Sequence, residues 1–308
     1  MRGFLGFAAS RIVRALIALW LVSTVVFVVM RLSGDPVPLL LPPDAPRSEI
    51  FRVRAELGLD RSLPVQYAVF LANLARGDFG RSIKFRVPAA DVVVERLPAT
   101  LELGLASFAL AIAVAVPIGL LSAVRRNSLV DHAAMGLALV GQSAPTFFIG
   151  ILFILVFSLK AGWLPTSGRE TVAHLVLPAA TLALFTMASV ARITRSAMLE
   201  VLRADYIRTA RAKGLHEAPV ILKHTLKNAS IPILTITALQ FGTLLGGAVV
   251  TETVFAWPGI GRLAIQSIYN RDYPVVQCVV FLSAVLFIAV NFCVDLLYGL
   301  LDPRARAG

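Results

Sequence analysis

Residues 204–227 read ADYIRTARAKGLHEAPVILKHTLK, a basic island in an otherwise oily chain. Apolar segments long enough to cross a bilayer flank it on both sides. Within it, Asp205 suits a helix N-cap, residues 207–213 make about two turns, and Gly214 stands where a C′ glycine stops a helix. A second short helix is expected next, with Glu217 and Pro219 in its first turn, before Ile231 and Pro232 open the following apolar run. Two short helices joined at a glycine corner and tied to membrane spans would form a knob that another protein can grip. The same spacing also fits an ordinary basic loop.

Composition places the chain in a membrane. With 57% hydrophobic residues, 15% charged residues and a mean hydropathy of +0.80, it has too little polar surface to coat a soluble globule of its size. Its 308 residues allow about six spans of about 20 residues with their loops. The net charge of +11 does not point to nucleic acid, because the basic residues gather at span ends and loops with no aromatic interleaving for base stacking. Cys278 and Cys293 fall in one apolar run. Fifteen residues of helix would hold them about 22 Å apart, too far for a disulfide.

In chain order, residues 12–30 follow Arg2, Arg11 and Arg14 with no small-residue cleavage site after them, so they read as a retained first span with a cytoplasmic N-terminus. Residues 31–98 then form an extracytoplasmic segment with apolar periodicity at Val65, Tyr67, Phe70, Leu71 and Leu74, expected to be a small folded cap. Further spans are expected at 103–124, 133–159, 175–190, 231–250 and 275–298. Arg125 and Arg126 mark a cytoplasmic turn, and between Arg192 and Lys227 eight basic residues face Glu200, Asp205 and Glu217, marking a second. Both termini are then cytoplasmic. The expected fold class is an all-α membrane protein of six transmembrane helices, divided at 1–98 and 99–301, with a cytoplasmic loop at about 192–230.

No catalytic constellation is evident. His132, His174, His216 and His224 are scattered without metal-ligand spacing, and no G-x-x-x-x-G-K-[ST] phosphate loop occurs, so no catalytic, cofactor or metal residue is assigned. Gln142 and Ser143, close to Pro145, would either line a translocation path or sit at a helix kink satisfied by its neighbours. Asn291 and Asp295 share a helix face, where Asp295 suits pairing with an arginine. Glu102 and Glu252 are placed at outer span ends. Glu252 opens TETVFAWPGIG (251–261), a short re-entrant, interfacial or exposed turn. Gly242, Gly246 and Gly247 give a close-packing signal for a helix in this fold or in a partner.

Several stretches in order carry a family resemblance: SGDP (33–36), GDFGRS (77–82), RLPATLEL (96–103), GWLPTSG (162–168), RSAMLEVLRADYIRTARAKG (195–214), TETVFAWPGIG (251–261), RDYPVVQ (271–277) and NFCVDLLYGLLDPR (291–304). Together they resemble the permease subunits of bacterial ABC importers, in particular the dipeptide, oligopeptide and nickel branch. The resemblance implies a type I importer permease fold in the bacterial inner membrane. It also implies a second homologous permease, two ABC ATPase subunits that use the ATP, and an extracytoplasmic substrate-binding protein. Asp205, Tyr206, Thr209, Ala210, Lys213 and Gly214 would belong to the coupling helix that docks on an ATPase; Thr209, Ala210 and Arg211 precede Ala212, Lys213 and Gly214 where the wider family carries Glu-Ala-Ala before the glycine. Gln142, Ser143, Pro145 and Glu252 would belong to the path or gate. The alternative function is a secondary transporter or channel, which would need repeated or broken spans and a buried ion site.

Overall fold

The computed structural model describes residues 2–32, 37, 41, 45–56 and 58–301, with side chains for these except 2–10, 245 and 293–301. The chain is helical almost throughout. In order come α1 (Arg2–Leu32), α2 (Arg47–Glu56), α3 (Leu63–Ala75), α4 (Ala89–Val124), α5 (Leu129–Ser143) and α6 (Thr146–Phe153), the last continuing as a π-helix over Ile154–Lys160. Then follow α7 (Val172–Leu202), α8 (Asp205–Ala212) and α9 (Glu217–Pro219), which passes through a π-helix at Val220–Leu226 into α10 (Lys227–Val254). Helices α11 (Ile260–Tyr269) and α12 (Tyr273–Leu301) complete the order. Among the described residues, four stretches are long and apolar enough to span a membrane singly, namely Arg11–Leu32, Ala89–Val124, Val172–Leu202 and Tyr273–Phe292. Two further spans are possible if each bent pair, Leu129–Ser143 with Thr146–Lys160 and Glu217–Leu244 with Gly246–Val254, is counted as one.

The chain forms two compact units, Met1–Pro98 with Ile260–Ala289, and Ala99–Gly259 with Val290–Gly308. In the first, Ala89, Val92 and Val93 pack with Ile260, Leu263, Val275, Cys278 and Val279. Within residues 31–98, where a small folded cap is expected, α2 and α3 are short helices and neither buries a residue fully. Instead α3 leans on α1 through an aromatic cluster, with Phe27 5.1 Å from the Tyr67 ring and 5.5 Å from Phe70. Thr24 and the Tyr67 hydroxyl hydrogen-bond at 2.6 Å beside them. Two of the quoted motifs also meet here. Buried Asp272 of RDYP accepts hydrogen bonds from the Ser82 hydroxyl and from the Ile83 and Lys84 amides, the latter two at 3.1 and 3.2 Å, fixing the turn that follows GDFGR. The SGDP motif (33–36), Arg304 and the side chains of Cys293 and Asp295 lie outside the described residues.

In the second unit, α4 and α7 approach closely at Gly119, where an added Cβ would lie 2.5 Å from the Ala191 carbonyl and 2.6 Å from Thr194 Cβ. Glycine is required there for contact, as in other small-residue helix crossings. The inner face of α7 is correspondingly small, including Ala179, Ala183, Ala188, Ala191 and Ala197. Gly247 meets Leu182 of α7 at 3.4 Å from its Cβ position, whereas Gly246 faces open space. Of the close-packing pattern, then, Gly247 serves contact within the chain.

Several expected boundaries shift. The expected 103–124 span is part of the 36-residue α4, which begins at Ala89 and runs through Pro98 and Pro117. The expected 175–190 span is part of α7, which carries Arg192 and Arg195 within the helix. No separate second short helix follows the glycine corner, because the chain stays helical from Glu217 through Pro232 into α10. Pro232 lies only five residues past the start of α10.

Candidate functional site

The basic island folds as a seated knob. Helix α8 starts at Asp205, so Ala204 and not Asp205 occupies the N-cap, with extended backbone (ψ 146°) and no side-chain cap. Asp205 contributes as the acid of the first turn, where a negative charge suits the helix dipole. At the other end Gly214 adopts φ +81°, its amide bonding the Arg211 carbonyl at 2.9 Å while the Leu215 amide reaches Ala210 at 3.4 Å. This pair of bonds is a Schellman stop, and it needs the left-handed residue that glycine supplies. Arg211 then spans the corner with a forked ion pair to Glu217, at 2.8 and 3.2 Å. Both partners are largely exposed, so the pair shapes the corner more than it stabilises it.

What anchors α8 is apolar. Ile207 is completely buried and Ala210 is 9% exposed, packed with Val220 of the π-helix and Val201 near the end of α7. Burying the Ile207 side chain stabilises this seat by about 1.5–3 kcal/mol. Tyr206, Thr209, Arg208 and Lys213 point outward. Of the six coupling candidates, Ala210 is the one that packs into the plug, because its position on the helix faces Val220. Beneath the knob a second cluster, Ala123, Ala197, Met198, Ala229 and Ile233, joins the ends of α4 and α7 to the start of α10.

The polar kink is a full break. Ala144 and Pro145 are extended, with ψ 133° and 134°, and α5 and α6 are bent by 109°. The ring of Pro145 drives the preceding residue out of the helical region, and Pro145 then serves as N-cap of α6. The expected 133–159 span, interrupted near Gln142, Ser143 and Pro145, is this broken pair of helices. Gln142 is half-buried and reaches the Ser189 hydroxyl of α7 at 3.5 Å; Ser143 and Pro145 are exposed.

Of the re-entrant, interfacial and exposed alternatives for TETVFAWPGIG, the exposed one does not hold, because the turn is buried. Glu252, Phe255 and Trp257 are at most 1% exposed. Thr100 of α4 donates to Glu252 at 2.6 Å, and the Trp257 indole N–H donates to the Ala99 carbonyl at 2.8 Å. The Gly168 amide bonds the Phe255 carbonyl at 3.1 Å, and Arg169 stacks over Trp257 while pairing Glu102 at 2.6 Å. Glu252 thus holds α4 and α10 together from a fully buried position.

Residues 115–307 match the family described as the binding-protein-dependent transport system inner membrane component, and residues 4–104 match its N-terminal membrane component. The chain belongs to this family. It is an ABC-importer permease, a transport component that is not itself an enzyme and that works with an ATPase and a binding protein. The glutathione transport system permease proteins GsiC of Escherichia coli and Shigella dysenteriae are each 43% identical to it over 303 residues, covering 98% of this chain and 99% of theirs. Its fold is similar to that of the MetNI methionine ABC transporter in an inward-facing crystal form, with a TM-score of 0.59 at 20% identity over 68% of this chain and 96% of that one. An amino acid ABC transporter is similar at a TM-score of 0.55 and 17% identity, over 68% of this chain and 93% of that one.

The permease also contains a polar centre that the sequence reading passed over. Asp131, its side chain 3% exposed, receives a fork from Arg195 of α7, Nε at 2.6 Å and Nη2 at 2.7 Å. The Ser122 hydroxyl of α4 and the Asn127 amide (2.9 Å) complete its hydrogen bonds. The local cause is a capped start, since Ser128 accepts from the Asp131 amide at 3.3 Å and Asn127 takes the left-handed φ of +62° that Asn tolerates. One carboxylate of α5 therefore ties α4, α5 and α7 together, and its partner Arg195 lies on α7, the helix that leads into α8.

Proposed function

We propose that the permease forms, with a second homologous permease, the translocation path of an importer driven by two ATPase subunits and fed by an extracytoplasmic binding protein. It has six spans, with residues 31–98 extracytoplasmic and both termini in the cytoplasm of a bacterial inner membrane. The observation that carries this reading is the seated knob. Helix α8 turns Ile207 and Ala210 into its own chain and presents Tyr206, Thr209 and Lys213 outward, as a docking element must. ATP-driven closure of the ATPases draws the knobs together, and the packed ends of α4, α7 and α10 carry the motion to the broken α5–α6 pair, where exposed Ser143 and half-buried Gln142 border the path. The permease binds no cofactor itself. The names of its 43% identical relatives favour glutathione or a similarly small peptide as cargo.

The arrangement in the membrane is tested by reporter fusions. Fusions after Arg126, near Lys213 and at Gly308 are expected to report cytoplasm, and those near Arg76 and Gly168 the outside, because basic turns stay inside. The same side for Arg126 and Gly168 would make the 109° break a re-entrant loop and overturn the six-span arrangement.

A further inference from the structure

A cavity of about 510 Å³ in the first unit has no part in the coupling reading. One wall is apolar, built from Phe27 and Met30 of α1, Val69, Phe70 and Leu74 of α3, and Phe79. The lining also carries Arg31, Arg61 and Arg81, with Asp78 the one carboxylate there among the described residues. Among the described residues none of these arginines is paired with an acid: Arg31 stacks 5.2 Å from the Phe27 ring and Arg81 donates to the Arg86 carbonyl at 2.9 Å. Asp78 accepts from the Gly80 amide at 2.9 Å. Gln66 also borders the cavity, donating to the Arg61 carbonyl at 2.7 Å while its buried Oε1 accepts nothing.

Position decides which anion belongs here. Arg31 ends the apolar stretch Arg11–Leu32, whose residues Trp20, Leu21, Val25, Val28 and Val29 are about half exposed as lipid-facing side chains are. The cavity therefore opens at the depth where headgroups meet acyl chains. Clustered arginines with an apolar floor suit a phosphate attached to hydrocarbon, and a hydroxyl-bearing headgroup would also supply the donor that Gln66 Oε1 lacks. A free inorganic anion would leave the apolar wall without a partner.

We propose that this cavity binds the headgroup and first acyl segments of an anionic glycerophospholipid, with Arg31, Arg61 and Arg81 on the phosphate. The ligand fastens α3 to the end of α1, a junction that among the described residues rests on one aromatic cluster and one hydroxyl pair.

The full-length permease in lipid nanodiscs is exposed to diazirine-labelled phosphatidylglycerol or phosphatidylcholine, and the labelled peptides are mapped. Phosphatidylglycerol is expected to label peptides spanning 66–83 strongly, and phosphatidylcholine weakly. Each arginine replaced by glutamine should lower that labelling by about tenfold, the size of one charge-assisted hydrogen bond. Replacement by lysine should keep most of it, which separates loss of charge from misfolding. Equal labelling by the two lipids would overturn the proposal in favour of a nonspecific apolar patch. Complete displacement by inorganic phosphate would overturn it in favour of a free-anion site.

Discussion

Arg195→Met is expected to cost the permease about 3–5 kcal/mol, the usual penalty for stranding one member of a buried ion pair. Asp131 is the stranded group, almost fully enclosed and held otherwise by Ser122 and a backbone amide. Thermal unfolding of the detergent-purified protein should show the loss, and less permease should accumulate in membranes. Arg195→Lys keeps the charge but cannot reproduce the fork from Nε and Nη2, so it should fall in between. The double change Asp131→Leu with Arg195→Leu removes both charges and should recover much of the stability. If the pair also transmits motion from α7 to the broken helix, transport by the stable double variant should stay low. Normal transport by that variant would reduce the pair to a structural tie.

Gly214→Val is expected to abolish coupling while leaving insertion intact. Nothing lies within 4 Å of an added Cβ at Gly214, so the cost is conformational and not steric. At φ +81° a β-branched residue pays about 1–3 kcal/mol, enough to undo the Schellman stop and turn α8 on its seat. Transport and the stimulation of ATP hydrolysis by loaded binding protein should fall together. Gly214→Asn, which tolerates the left-handed region, should retain most of both. Ala210→Asp should act through the plug, placing a carboxylate against Ile207 and Val220, and should mimic Gly214→Val in effect.

The parts of this structure legible in the sequence are those governed by local rules. Gly214 could be read as a helix stop because a left-handed C′ residue is a requirement of the backbone itself. Pro145 announced an interruption for the same reason, though the 109° angle depends on how α5 and α6 pack. The start of α4 was hidden because its first turns carry Asp91 and Glu95, so the apolar run signals only the membrane part of a longer helix. Asp131 was missed because its partner is 64 residues away. Two local signs could have found it: the Ser128-x-x-Asp131 cap pattern, and its place as the only acid between Glu102 and Glu170. Burial of TETVFAWPGIG likewise depends on the Ala99 carbonyl, 158 residues before Trp257. Ala210 shows a finer limit. Spacing placed it on the knob, but only the packing of Val220 and Val201 shows that it faces inward.

The central claim, that the outward face of α8 docks on an ATPase subunit, is tested most directly by a photo-crosslinking amino acid placed at Thr209 in the assembled transporter. Thr209 is exposed, its hydroxyl bonding only back to the Asp205 carbonyl at 3.0 Å, so the probe fits without disturbing the plug. The account predicts a crosslink to the ATPase subunit, strong at Thr209, absent from the same probe at Arg61, and reduced in the Gly214→Val background. A Thr209 probe that captures lipid or nothing, in a complex that still transports, would contradict it.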